Sequence, residues 1–105
     1  EIARLIDALG GNELSAYGLC HLGDYEATLF SPYSHNRMFG EKFVKNEPYT
    51  DLAEGYYAVD ALLRLGKTVS ADLPICRAVY NVLYKGENAH DEVNVLFTRS
   101  IKNEF

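Results

Sequence analysis

The stretch Thr50–Gly66, TDLAEGYYAVDALLRLG, carries the pattern that assigns the fold class. Its apolar side chains recur at the spacing of one helix face, namely at Leu52, Tyr56, Val59, Leu62 and Leu63. Thr50 is placed to act as an N-cap, and Asp51 and Glu54 then lie near the positive end of the helix dipole. The pattern predicts an α-helix that has Thr50 as its N-cap and ends at Gly66.

Upstream segments repeat the helical period. The first stripe ends at Gly10-Gly11 and consists of Ile2, Leu5, Ile6 and Leu9. Asn12 is expected to cap a short turn. A second helix is predicted from about Cys20 to Phe30, where Pro32 stops it, and Ser34 is placed to cap a third.

Two more helices are predicted downstream. Pro74 suits the first turn of one of them, and Lys85-Gly86 marks its end. Its predicted buried face is Ile75, Ala78, Val79, Val82 and Leu83. The last helix starts near Asn88, with a predicted buried face of Ala89, Val93, Leu96 and Phe97. No segment of useful length alternates with period two, so the sequence predicts an all-α, compact multi-helix domain.

Composition excludes several classes of function. The 105 residues suit one domain, and a net charge of −5 without a basic stripe argues against nucleic-acid binding. No apolar run approaches the roughly 20 residues of a membrane-spanning helix. Cys20 and Cys76 form no CxxC pair, which favours two buried, reduced thiols in a cytosolic protein. The histidines lack metal-ligand spacing, so no metal site is predicted.

A cluster of hydrogen-bonding groups occupies Gly18–Gly40, GLCHLGDYEATLFSPYSHNRMFG; its members are Asp24, Thr28, Ser34, His35, Asn36 and Arg37. Free backbone N–H groups at a helix start, together with the positive dipole end, suit a dianion. Each residue also has an ordinary structural interpretation. Asp24 could cap a helix, Thr28 could bond an intrahelical carbonyl, Ser34 could be only an N-cap, and Arg37 could pair with Glu41.

Three blocks in this order, YGLCHLGDYEATLFSPYSHNRMFGEKF, LAEGYYAVDALLRLG and LPICRAVYNVLYKG, resemble the C-terminal, substrate-binding domain of bacterial NAD(P)-dependent glycerol-3-phosphate dehydrogenase. The resemblance implies a fold like that of the 6-phosphogluconate dehydrogenase C-terminal domain. It also implies that residues 1–105 are a helical fragment whose partner is an N-terminal Rossmann domain of the same protein. That domain binds NAD or NADP, and the general-base lysine lies before Glu1, so the fragment alone is expected to be inactive.

The resemblance also assigns residues. Positions matching the substrate-binding motif, for sn-glycerol 3-phosphate or dihydroxyacetone phosphate, are Asp24, Thr28, Ser34, His35, Asn36 and Arg37. Positions matching the cofactor motif are His35, Leu52 and Glu54, although Glu54 alone reads as a solvated carboxylate. No catalytic residue is assigned within this chain. The implied setting is cytoplasmic synthesis of the phospholipid precursor, with a possible homodimer.

The sequence departs from the family pattern at two site positions. His35 stands where the family has arginine, and Tyr57 replaces the arginine that usually follows E-G-Y. The connection from Gly40 to Glu54 is also shorter. Histidine lacks the permanently charged, bidentate fork of arginine. Two alternatives therefore stay open: a divergent oxidoreductase acting on another small hydroxy compound, and a non-catalytic helical module for dimerisation or interaction.

Overall fold

A computed structural model describes residues 1–100 of the chain, and these contain six α-helices and no strand. The predicted all-α fold is confirmed. The helices are α1 (Ile2–Ala8), α2 (Asp24–Leu29), α3 (His35–Val44), α4 (Glu54–Thr68), α5 (Pro74–Lys85) and α6 (Ala89–Thr98). A 3₁₀ turn (Glu13–Tyr17) and a π turn (Leu19–Gly23) connect α1 to α2.

The core lies where α4 packs on α5. Leu73, just before α5, is only 1% exposed, and Val59 of α4 and Ala78 of α5 are also buried. α6 packs on α5, and α3 packs on α4. At the other end of the chain, the Glu1 carboxylate accepts hydrogen bonds from the backbone amides of Ile75 and Cys76, which ties the start of α1 to the first turn of α5.

Several helix boundaries agree with the predicted caps. Asn12 accepts from the amide of Leu14, and Asn88 accepts from the amide of Asp91 at the start of α6. Pro74 is the first residue of α5, and the helix ends at Gly86 in the left-handed conformation, φ 72°. The predicted helix from Cys20 to Phe30 is α-helical only from Asp24, because its first turn is wound as the π turn.

Both predicted ends of the helix over 50–66 are wrong. α4 begins at Glu54, because its amide cap comes from a distant residue: Asn36 Oδ1 accepts from the Gly55 amide at 2.9 Å. α4 also continues through Gly66 to Thr68. A Cβ on Gly66 would lie 2.9 Å from Leu73 Cδ1, so this glycine allows close packing of the helix on Leu73 instead of ending it.

The predicted buried faces of α5 and α6 are partly wrong as well. Ile75, Val79, Val93 and Phe97 are exposed, by 43% to 83%. Three of the four, all but Phe97, line an apolar groove of about 270 Å³ between α3, α5 and α6. Helical periodicity identifies a face suited to burial, but it does not identify the element that covers it. Nothing within residues 1–100 fills this groove.

The predicted burial of both cysteines is wrong for Cys20 and is met only in part by Cys76. Both thiols are free, but Cys20 is exposed and Cys76 is half-buried. Within the part of the chain that the structure describes, no three histidine, cysteine or acidic side chains are grouped to hold a metal ion. None of the helices among residues 1–100 has the length and apolar character needed to cross a bilayer.

Candidate functional site

The first turn of α3 presents hydrogen-bond donors at the positive end of the helix. Ser34 is the N-cap, and its Oγ accepts from the Arg37 amide at 3.4 Å. The amides of His35 and Asn36 precede the first position that an intrahelical carbonyl can reach. These N–H groups and the helix dipole together favour an anion at this turn.

Asn36 joins this turn to the start of α4. Its Oδ1 accepts the Gly55 amide at 2.9 Å. Because a backbone N–H can only donate, this contact fixes the orientation of the side-chain amide and leaves Nδ2 as a donor. A Cβ on Gly55 would lie 3.0 Å from Asn36 Oδ1, so the approach favours glycine. The positive ends of α3 and α4 are therefore adjacent.

His35 is held by a residue that the sequence analysis missed. Its Nδ1 lies 2.7 Å from Tyr49 Oη, and the two rings meet edge to face. Partial burial, and secondarily the negative charge of Asp51, raises the pKa of the Tyr49 phenol. The phenol therefore keeps its proton at neutral pH. Tyr49 lies 14 positions from His35, and no local sequence signal connects them.

Arg37 pairs with Glu41, the structural role considered for it as an alternative, and it also contacts a backbone carbonyl. Nε donates to the Ser31 carbonyl at 3.0 Å, and one terminal nitrogen lies 3.4 Å from Glu41 Oε2. Glu41 also pairs with Lys45 at 2.8 Å. The hydrogen bond and charge of Lys45, with a smaller effect of Arg37, lower the pKa of Glu41. The guanidinium is thus oriented along α3, and its contact with phosphate stays a prediction.

Asp24 and Thr28 lie on α2, and both are exposed. Thr28 Oγ1 donates to the Asp24 carbonyl at 3.1 Å, the intrahelical bond considered for it. No hydrogen bond or ion pair between described residues joins α2 to α3. The structure therefore brings Ser34, His35, Asn36 and Arg37 together in one turn, but it does not connect Asp24 and Thr28 to them.

The two remaining cofactor positions lie beside Tyr49 and Asn36. Leu52 is 63% exposed and lines a shallow hollow of about 400 Å³ with aromatic neighbours that include Tyr49 and Tyr57. Glu54 is exposed in the first turn of α4, directly before Gly55. Tyr49 therefore connects His35 to the hollow that Leu52 lines, whereas Glu54 lies outside the lining of that hollow.

The chain is similar to known proteins along nearly its whole length. A family model described as NAD-dependent glycerol-3-phosphate dehydrogenase C-terminus matches residues 1–94. The chain is 38% identical over 109 residues to glycerol-3-phosphate dehydrogenase (NAD(P)+) of Thermus thermophilus, covering 99% of this chain and 34% of the relative. It is 33% identical over 111 residues to the glycosomal NAD(+) enzyme of Leishmania mexicana, covering 99% of this chain and 30% of that protein. The chain spans about a third of the length of the curated relatives it matches.

Proposed function

This chain belongs to the family of C-terminal domains of NAD-dependent glycerol-3-phosphate dehydrogenases, and we propose that it is the substrate-binding domain of such an enzyme. The complete protein is then an oxidoreductase that interconverts sn-glycerol 3-phosphate and dihydroxyacetone phosphate for glycerophospholipid precursor synthesis. NAD or NADP, bound mainly by an N-terminal domain, supplies or accepts the hydride. Residues 1–105 contain no G-x-G-x-x-G, and we assign the cofactor fingerprint to the N-terminal domain of that protein.

The observation that carries this proposal is the adjacency of two helix starts at Asn36. The amides of His35 and Asn36, the Ser34 hydroxyl and Asn36 Nδ2 are the donors we assign to the phosphate group. Asn36 is pre-oriented by its bond to Gly55, so little side-chain freedom is lost when an anion binds. Arg37 adds positive charge to the same turn.

Asp24 and Thr28 are assigned to the alcohol end of the substrate. A carboxylate at Asp24 can accept a hydrogen bond from a substrate hydroxyl or orient the general-base lysine, which by resemblance precedes Glu1. Thr28 lies one helical turn further along α2, on the same face. Since no polar contact ties α2 to α3 within residues 1–100, we propose that the remainder of the protein sets the distance between the two groups.

The cofactor side of the site is assigned to His35, Leu52 and Glu54. The exposed Leu52 side chain and the aromatic hollow beside it suit the flat, weakly polar face of a nucleotide ring. Glu54, directly before Gly55, and the His35 imidazole, which contacts Tyr49 of the hollow, are the polar groups that we assign to the cofactor. These residues bind and orient the cofactor, while the chemistry of hydride transfer belongs to the cofactor itself.

Exposed apolar side chains favour contacts between this domain and other protein surfaces. In the groove between α3, α5 and α6, the side chains of Ile75, Val79 and Val93 form one apolar surface, whereas leucines exposed singly would need no partner. We propose that the N-terminal domain of the same protein, and possible homodimer contacts, cover such surfaces. A cytoplasmic location is part of the proposal.

His35 favours a second candidate function, a related oxidoreductase acting on another small hydroxy compound. Replacing a charged fork by one imidazole donor removes a charge-assisted contact, which typically contributes about 1.5–3 kcal/mol. Weaker binding of the phosphate group would allow the site to accept a different substrate. The deciding measurement is NADH oxidation by the full-length protein with dihydroxyacetone phosphate, compared with unphosphorylated dihydroxyacetone.

The variant Asn36→Asp tests the assigned phosphate site. Its carboxylate still accepts the Gly55 amide, but it removes the Nδ2 donor and places a negative charge beside the phosphate. We expect the KM for dihydroxyacetone phosphate to rise by about 50-fold or more. The control Asn94→Asp adds the same charge to the exposed face of α6 and should leave the KM unchanged. Equal effects of the two variants would contradict the assignment of the phosphate site.

The wild-type protein distinguishes an enzyme from a non-catalytic module. Binding of dihydroxyacetone phosphate without any reduction of it would favour the non-catalytic module.

A further inference from the structure

His35 is the residue through which this chain departs from its family, and the fold gives it a partner. At the start of a helix an exposed imidazole can adopt several rotamers and two neutral tautomers. Here Nδ1 lies 2.7 Å from Tyr49 Oη. The orientation of the ring is therefore restricted by one contact.

Tyr49 is itself held in place by its surroundings. The Phe39 ring meets the Tyr49 ring at 70° with centroids 5.8 Å apart. Lys42 Nζ lies 6.0 Å from the centroid of the Tyr49 ring, within the range of a cation–π contact. A phenol is protonated at neutral pH, and partial burial raises the pKa of this one further. Tyr49 thus offers a hydroxyl at a fixed position.

The phenol hydroxyl can donate to Nδ1 or accept from it, and the contact of 2.7 Å fits both directions. When the phenol donates to a neutral imidazole, the ring proton is on Nε2. When the imidazole takes a second proton, Nδ1–H donates to the phenol oxygen, and Nε2–H is retained. In both states Nε2 is a donor, which is what a phosphate oxygen requires.

Resting on the proposed function, we propose that Tyr49 is a positioning residue that holds His35 as an Nε2–H donor toward the substrate phosphate. Arginine at this position would need no such partner, because all its nitrogens carry hydrogen at every relevant pH. Tyr49 therefore restores part of the directed donor that the change from arginine to histidine removes. It acts through His35 and touches neither the substrate nor the cofactor carbon that reacts.

The experiment uses the full-length enzyme and a double-mutant cycle. Tyr49→Phe keeps the ring and its packing on Phe39 but removes the hydroxyl. We expect the KM for dihydroxyacetone phosphate to rise by about 3- to 10-fold while kcat stays within about 2-fold. In a His35→Ala background the same change should have no further effect, because the group that Tyr49 positions is gone.

Two readouts separate a positioning role from a structural one. The control Tyr80→Phe removes the hydroxyl of a stacked tyrosine on α5 and should leave the KM unchanged. Long-range ¹H–¹⁵N correlations should show His35 as the Nε2–H tautomer in the wild type and as a mixture in Tyr49→Phe. An Nδ1–H tautomer in the wild type, or an equal KM increase with and without His35, overturns the proposal. Absence of dihydroxyacetone phosphate turnover in the wild type defeats the proposed function instead, while the tautomer measurement still decides the pairing.

Discussion

α2 and the α4–α5 pair differ in how they are held. All six residues of α2 are exposed, and its principal contact is with the π turn that precedes it. α4 and α5 instead pack around the nearly inaccessible Leu73, and three stacked tyrosines, Tyr56, Tyr84 and Tyr80, run between them. The phenol of Tyr84 also donates to the Tyr56 carbonyl at 2.6 Å.

This difference divides the candidate site. The phosphate side, Ser34–Arg37, is connected through Asn36 to the well-packed α4. The alcohol side, Asp24 and Thr28, lies on the exposed α2. One half of the site is therefore preorganised by this chain, whereas the other half depends on contacts that residues 1–100 do not supply.

The largest expected effect tests the packing of α4 on α5. Leu73→Ala removes a side chain that is 1% exposed and leaves a cavity beside Gly66, so we expect a loss of about 2–5 kcal/mol in the free energy of unfolding. The matched change Leu29→Ala, on α2, should cost less than about 1 kcal/mol, because Leu29 is already 36% exposed. Urea unfolding of both variants measures the difference. Equal losses would show that α2 is packed as firmly as α5.

A smaller effect tests the phosphate side. His35→Arg introduces a permanent charge and a bidentate fork into the first turn of α3, and we expect dihydroxyacetone phosphate to bind the full-length protein about 10-fold more tightly. Ala27→Arg adds the same charge to α2 and controls for net charge alone. Isothermal titration of both variants gives the two affinities. An unchanged affinity for His35→Arg would remove position 35 from the site.

Local chemistry explains which features of the fold were predictable. Ser34 and Asn88 cap their helices with side chains that reach only three residues along the chain, and Gly86 ends α5 by its own backbone conformation. Such signals lie within one helical turn, so the sequence contains them completely. The first turn of α3 was predictable as an anion-binding turn for the same reason.

Long-range contacts explain the rest. The start of α4 depends on Asn36, 19 positions before Gly55, and the orientation of His35 depends on Tyr49 across an intervening helix and turn. Thr50 satisfied the local rule for an N-cap, but the competing cap from Asn36 decided the boundary. The apolar face at Ile75 and Val79 was correctly recognised as apolar, but its exposure depends on which other segments of the protein are present.

The last prediction uses the two thiols, one on each side of the comparison. Cys20 is exposed in the π turn before α2, whereas Cys76 is half-buried in α5. Burial, and secondarily the nearby negative charge of Glu1, raises the pKa of the Cys76 thiol. Since the thiolate is the reactive form, a raised pKa leaves less of it at a given pH, and we expect Cys76 to react with a disulfide reagent about 10-fold more slowly than Cys20. Cys20→Ser should remove the fast phase of labelling and Cys76→Ser the slow phase, with both thiols reacting alike in denaturant. A fast phase that survives Cys20→Ser would mean that α5 opens as readily as α2, and the contrast between the two halves of the site would lose its physical basis.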